Sequence, residues 1–275
     1  MLIDTHSHLN FRAFDRDRDE VAQKCLDNDV WVINAGSNYE TSKKAVELAE
    51  KYEKGVYAAV GLHPINLDTG LVKVKTDEAE GRHLEKEFDY EKYKALAVSK
   101  KVIAVGETGL DYWHKPKTAK NFAELKEKQK EVFLKHLELA SELDLPVILH
   151  CRSAHNDLIE VLTLHVSRFT FHGVVHCFTG DWPQAEKYLE AGLYLGFNGI
   201  IFKLNLDEVI EKTPFDRILV ETDCPYLTPP QAAVERNDPL NVKYVVQKIA
   251  EIKKTTFAQV AKAVNQNAQT LFRLQ

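Results

Sequence analysis

Short apolar runs alternate with longer amphipathic stretches along the whole chain of 275 residues. Eight runs are rich in Val, Ile and Leu and nearly continuous: 1–6, 30–36, 55–63, 101–107, 145–151, 173–178, 193–199 and 217–223. Strands buried on both faces carry runs of this kind. Between them, apolar positions recur at helical spacing over 17–28, 39–53, 87–100, 119–143, 155–165, 182–191 and 204–212. Two more helical patterns, 239–253 and 256–273, follow the last run. In QKEVFLKHLELASELD the apolar stripe is Val132, Phe133, Leu137, Leu139, Ala140 and Leu143, one side of a helix. Eight strands, each followed by a helix, predict an α/β chain folded as a single (β/α)8 TIM barrel over 1–275. A doubly wound sheet also alternates, but eight units in this length favour the closed barrel. One segment breaks the rhythm. The stretch 64–91, PINLDTGLVKVKTDEAEGRHLEKEFDYE, is long and highly charged, and is expected to be a lid, a binding loop or a solvated insertion.

The composition is that of an ordinary globular protein, 44% hydrophobic and 28% charged. The formal net charge of -5 offers no basic surplus, which argues against extensive non-specific binding of nucleic acid. It does not exclude a phosphate held at a metal, because the ion brings its own positive charge. Cys25, Cys151, Cys177 and Cys224 are far apart and form no CxxC pair, so neither a disulfide framework nor a zinc ribbon is expected. No apolar run reaches the length of a membrane span, and the N-terminus lacks the basic start of a signal peptide. The expectation is a soluble, cytoplasmic monomer with no obligate protein partner.

In a barrel of this kind chemistry sits at the C-terminal ends of the strands. The first run ends in His6 and His8, the fourth in Glu107, the fifth in His150, the sixth in His176 and the eighth in Asp223. A single histidine on an apolar strand is ordinarily a hydrogen-bonded core residue, and a single carboxylate after a strand is ordinarily a helix cap. Six such groups at one rim are different, because burying them unpaired would cost several kcal/mol per charge. A catalytic zinc keeps about three protein ligands, so this set suits two ions about 3.5–4 Å apart. A carboxylate can bridge two ions and a histidine cannot. Glu107 is therefore the expected bridge, with His6, His8 and Asp223 completing one site and His150 and His176 holding the second ion. Imidazole with carboxylate accepts Zn, Mn, Fe or Ni.

The segments DTHSHL, VGLHP, GETGLDY, LPVILHCRSA, HCFTGD, GFNG and LVETDCPYL, followed by RNDP, resemble the TatD family of metal-dependent hydrolases, within the amidohydrolase superfamily. The match runs in order through nearly the whole chain. The resemblance implies a TIM barrel with a Glu-bridged binuclear site and phosphodiesterase or deoxyribonuclease activity, often on DNA ends. The ligands it implies are His6, His8, Glu107, His150, His176 and Asp223, and the resemblance to Mg-dependent nucleases adds Mg to the candidate ions. The long insertion after His63 and Pro64 departs from the family pattern and puts substrate size and access in question.

The expected chemistry is hydrolysis of DNA or nucleotide phosphodiesters by a metal-activated water, with Asp223 as the base. His63 is a candidate for holding a phosphate oxygen, protonating the leaving group or supporting the site by hydrogen bonds. Arg152, two residues after His150, can fork onto phosphate or form a structural ion pair. Glu221, two before Asp223, is expected to orient a ligand histidine. Asn237 and Asp238 are expected to cap the helix that begins near Pro239. Cys151, Cys177 and Cys224 each follow a ligand by one and are expected to point away from the pocket. Trp113 and His114 follow Glu107 on a loop, where an aromatic can stack on a nucleobase or cover the rim. The alternative activity is a lactonase or an amide or ester hydrolase with the same metals; cations such as Arg152 beside the ions would favour phosphate. A non-catalytic barrel would lack ligands, and none is missing.

Overall fold

The computed structural model describes residues 1–72, 84–165, 169 and 172–274. Its strands are β1 (Leu2–Ser7), β2 (Val30–Ala35), β3 (Val56–Val60), β4 (Val102–Asp111), β5 (Val147–Arg152), β6 (Gly173–Val175), β7 (Tyr194–Phe197) and β8 (Ile218–Val220). They form one sheet in sequence order, each parallel to the next. Helices α1 (Arg18–Asp27), α2 (Tyr39–Ala49), α3 (Tyr90–Ala97), α4 (Ala119–Leu143), α5 (His155–His165), α6 (Trp182–Glu190) and α7 (Asp207–Lys212) connect them, and α8 (Val242–Ile252) and α9 (Phe257–Phe272) follow. The expected barrel is present, and α4 and α5 coincide with the predicted segments. Side-chain oxygens of Asn38, Thr118, Asp181 and Thr256 accept N–H bonds from the first turns of α2, α4, α6 and α9, which sets where these helices start.

One residue from each strand fills the barrel: Ile3, Ile33, Ala59, Ala104, Ile148, Val174, Tyr194 and Leu219. Leu271 and Phe272 of α9 join this cluster and plug the end where the strands begin. Residues of the opposite parity, such as Val32, Leu149 and Val220, pack beneath the helices. That double burial is why the runs are apolar at nearly every position.

Hydrogen bonds outside any strand ladder join β8 to β1. Thr5 Oγ1 donates to Val220 O at 3.1 Å, and the Asp4 carboxylate accepts from Thr222 N at 2.9 Å and from the Thr222 hydroxyl. Asp223 N donates to His6 O at 2.8 Å, and His8 N to Cys224 O at 3.0 Å. The seam thus ties the segment carrying His6 and His8 to the segment carrying Asp223.

Strand ends differ from expectation at five places. β3 and β7 stop at Val60 and Phe197, short of 63 and 199, so His63 stands on the connection after its strand. β4 runs four residues past Glu107, to Asp111. β6 and β8 stop at Val175 and Val220, so His176 and Asp223 stand on the connections after their strands. The stretch 64–91 is not a plain loop. It begins with a 3-10 turn at Pro64–Asn66, Leu67 bridges to Glu85, and α3 starts at Tyr90. The Glu85 carboxylate accepts from Tyr39 N and from the Tyr93 hydroxyl, and Leu67 and Phe88 are buried. Both flanks are packed, therefore, and the central residues 73–83 lie outside the described residues. No described helix is long and apolar enough to cross a membrane.

Candidate metal centre

Two register shifts aim the site. Between Asp4 and Ser7, three steps along β1 match two along β2. Between Val105 and Thr108, three steps along β4 match two along β5. An extra residue reverses which side chains face inward. Past the first shift His6 and His8 face the barrel mouth, while Ser7 Oγ donates to Ile33 O at 3.1 Å, away from it. Past the second, Glu107 and Asp111 face inward. Gly61, at the end of β3, lies so close to this turn that a Cβ would stand 2.7 Å from the Gly106 carbonyl carbon.

Glu107 is buried at the centre. Its Oε2 lies 3.3 Å from His6 Nε2 and 4.0 Å from His8 Nε2. Its Oε1 lies 2.9 Å from His150 Nδ1, 3.4 Å from His176 Nε2 and 3.3 Å from His63 Nε2. Asp223 Oδ1 lies 3.3 Å from His8 Nε2 and 3.9 Å from His6 Nε2, and His6 Nε2 lies 3.1 Å from His8 Nε2. Four donors at about 2.0–2.1 Å from one zinc would be about 3.3 Å apart, so this spacing suits a divalent ion.

Tautomers sort the histidines. His8 Nδ1 donates to Ala35 O at 2.9 Å, leaving a lone pair on Nε2. His176 Nδ1 donates to Glu221 Oε1 at 2.8 Å, again freeing Nε2. His150 is reversed: with Nε2–H directed to Asp111 Oδ2 at 3.2 Å, the neutral ring leaves Nδ1, 2.9 Å from Glu107 Oε1, as the nitrogen open to an ion, whereas the charged ring of the metal-free protein donates from both nitrogens. A second N–H donated to a carboxylate or carbonyl is the usual support of a metal-binding imidazole. His6 Nδ1 has no partner among the described residues. His63 differs from all of these. Its Nδ1 accepts the Ile65 N–H at 3.0 Å, so the neutral ring carries its proton on Nε2, pointing at Glu107. In that state His63 is a hydrogen-bond donor to an oxygen and has no lone pair to offer an ion, although its position groups it with Glu107 and His150.

Burial pushes the Glu107 carboxyl up, but His63, His176, His6 and the bond from His150 together hold it well below the usual range. Burial disfavours charge on His150, yet Asp111 and Glu107 raise it to about 9. The same balance, with Glu221 and Glu107 as partners, raises His176 to about 10. Burial, with His150 nearby, lowers His63.

Asp111 was not among the expected site residues. Its Oδ1 accepts from the N–H groups of Trp113 and His114 at 3.0 and 3.2 Å, and Gln129 of α4 bonds both its N–H and its carbonyl. The signal was present in GETGLDY, where inward parity after the shift continues from Glu107 to Asp111. Glu221 Oε1 also accepts from Cys177 N and Asn198 Nδ2. A Cβ at Gly196 would stand 2.8 Å from Glu221 Oε2. Asn237 does more than precede a helix: its Nδ2 donates to Thr222 O and Tyr226 O, bracing the loop that bears Asp223. Asp238 does cap, accepting from Leu240 N at the turn leading into α8.

The expected outward orientation needs correction only at Cys177. Cys151 turns its Sγ to the Tyr188 hydroxyl of α6 at 3.8 Å and Cys224 is fully buried, but Cys177 lines the cavity. Cys177 has a left-handed φ of 45°; with β6 finished at Val175, strand alternation no longer applies there. The cavity holds about 340 Å3 and is also lined by Asp223, Arg152, His114 and Asn66. Arg152 is exposed, and its guanidinium carbon lies 4.7 Å from the Trp113 ring centroid.

The model of the family described as TatD related DNase matches residues 3–273. The chain is 37% identical to the uncharacterized metal-dependent hydrolase YabD of Bacillus subtilis, each covered in full. It is 31% identical to the 3'-5' ssDNA/RNA exonuclease TatD of Pectobacterium carotovorum, over 99% of this chain and 100% of the relative. Among solved structures, the TatD homolog YJJV of Escherichia coli superimposes with a TM-score of 0.80 at 30% identity, covering 100% of this chain and 98% of the other. Barrel, converging imidazoles and whole-length similarity agree: the chain belongs to the family of TatD-related DNases, metal-dependent hydrolases.

Proposed function

We propose that this enzyme hydrolyses phosphodiester bonds at DNA or nucleotide ends with two divalent ions. His6, His8, Asp223 and Glu107 would hold one; Glu107, His150 and His176 would hold the other. The observation that carries the reading is the Glu107 carboxylate, whose two oxygens address two separate groups of imidazoles. Bound there, divalent ions lower the pKa of a coordinated water and offset charge on phosphoryl oxygens. Zn, Mn, Fe, Ni and Mg are all compatible with imidazole and carboxylate donors.

The chain's own groups do the rest. Burial opposes ionisation of Asp223, but the bond from His8 and the nearby imidazoles hold its carboxyl below the usual range. Asp223 is thus ionised at neutral pH, takes the proton of the attacking water and returns it to the leaving oxygen. One O–P bond forms and one P–O bond breaks. The Nε2–H of His63 donates to Glu107 or to a phosphate oxygen. Arg152 has no acidic partner among the described residues and supplies a cation for phosphate, which favours a phosphodiester over a lactone or amide. The Pectobacterium relative, named as a 3'-5' ssDNA/RNA exonuclease, supports the same choice. The four free cysteines suit the reducing cytoplasm, where we place the enzyme as a monomer.

The test is a substrate panel with the metal-reconstituted enzyme: single-stranded DNA, duplex DNA, RNA, a generic phosphodiester, a lactone and an N-acyl amino acid. Phosphodiester turnover is expected to dominate. Fast lactone or amide cleavage without phosphodiester turnover would overturn the reading.

A further inference from the structure

Trp113 is 61% exposed, so its ring covers little of the barrel rim. It is nonetheless firmly placed. Its N–H donates to Asp111 Oδ1 at 3.0 Å, and Asp111 is itself bracketed by Gln129 and bonded to His150. Arg152 pairs in register with Asp111 across β4 and β5, and its guanidinium lies over the indole at 4.7 Å. Arg152 also lines the cavity that contains Glu107 and Asp223. One cation thus touches both an exposed aromatic ring and the cavity of the candidate reaction centre.

We infer that Trp113 and Arg152 form a subsite for the terminal nucleobase of a strand and its adjoining phosphate. The base stacks on the exposed indole, and stacking of this kind tolerates any base because each has a π face. The guanidinium, held against the ring by cation–π attraction, forks onto the phosphate leading into the cavity. This inference rests on the nucleic-acid reading above and adds to it a residue that holds the terminal base.

The experiment compares the metal-loaded wild type, Trp113→Ala and Trp113→Phe on two single-stranded oligonucleotides of equal length. One carries normal bases and the other has abasic sugars at its terminal residues. The wild type is expected to show kcat/KM roughly 10-fold higher on the base-bearing strand, Trp113→Ala to lose that preference, and Trp113→Phe to recover most of it. In parallel, a hydrolysis-resistant phosphorothioate oligonucleotide is expected to quench the tryptophan fluorescence of the wild type but not of Trp113→Phe. A base preference that survives Trp113→Ala, or quenching that persists unchanged in Trp113→Phe, would overturn the inference. Quenching confined to the wild type, with no hydrolysis of either strand, would instead remove the nuclease reading and leave the platform standing.

Discussion

His150 Nε2 lies 3.2 Å from Asp111 Oδ2, while the opposite ring nitrogen lies 2.9 Å from Glu107 Oε1. The imidazole is held between an orienting carboxylate and the proposed bridge, as His176 is between Glu221 and Glu107. Asp111→Asn keeps an oxygen for the His150 N–H but removes the charge that makes the other nitrogen a better donor. Metal affinity is expected to fall roughly 10–100-fold, with the His150 resonance titrating below about 9 in the metal-free protein. Metal titration by calorimetry checks this. An affinity within about twofold of wild type would show that Asp111 does not act through His150.

Proton release provides a second test. In the metal-free protein His150 and His176 are raised to about 9 and about 10, so both are protonated near pH 7.5. Metal ligands must shed such protons, so binding at that pH should release about two, and apparent affinity should climb until pH passes those values. The stability sign follows from the same shifts. Folded values above the ordinary 6.5 stabilise the metal-free fold fully below about pH 6.5, and that contribution is lost as pH rises through about 9 and 10. Calorimetry in buffers of different ionisation enthalpy measures the released protons. Release of none at pH 7.5 would contradict the assignment.

The barrel seam makes a prediction about stability. Thr222→Val removes the hydroxyl bonded to buried Asp4 while preserving shape. Leaving that buried carboxyl group short of a hydrogen-bond partner should cost about 1–3 kcal/mol in urea unfolding. Because the same seam aligns His6 with Asp223, metal affinity should fall as well. An unchanged unfolding midpoint would mean that the seam is held elsewhere.

His63 separates proximity from ligation. With its Nδ1 committed to Ile65 N–H, its Nε2–H points to Glu107 at 3.3 Å. His63→Ala should keep the wild-type metal content and lose about 100–1000-fold in phosphodiester kcat/KM, in the range for a lost transition-state donor. Elemental analysis beside kinetics decides it. Loss of one equivalent of metal in this variant would make His63 a ligand.

Much of this molecule was legible in the sequence, because apolar periodicity reports burial directly. The barrel order and most helix bounds follow from it, and the six converging side chains follow from asking what ends each strand. What escaped depends on departures from regular periodicity. The β4 register shift carries the strand past Glu107 and hides Asp111. The positive φ at Cys177 breaks the alternation that would have turned its thiol away. Asp4 reads as an ordinary strand residue, since its partner Thr222 is 218 positions away. The tautomer of His63 is set by a backbone N–H two residues on, and no side-chain pattern records it.

The most direct test of the account is the metal content of the wild type beside Glu107→Ala, measured by elemental analysis after reconstitution and removal of free ion. Bridging by Glu107 predicts about two equivalents per wild-type chain and the loss of at least one in the variant, together with its activity. Two equivalents retained by Glu107→Ala, or a fully active wild type holding only one, would contradict it.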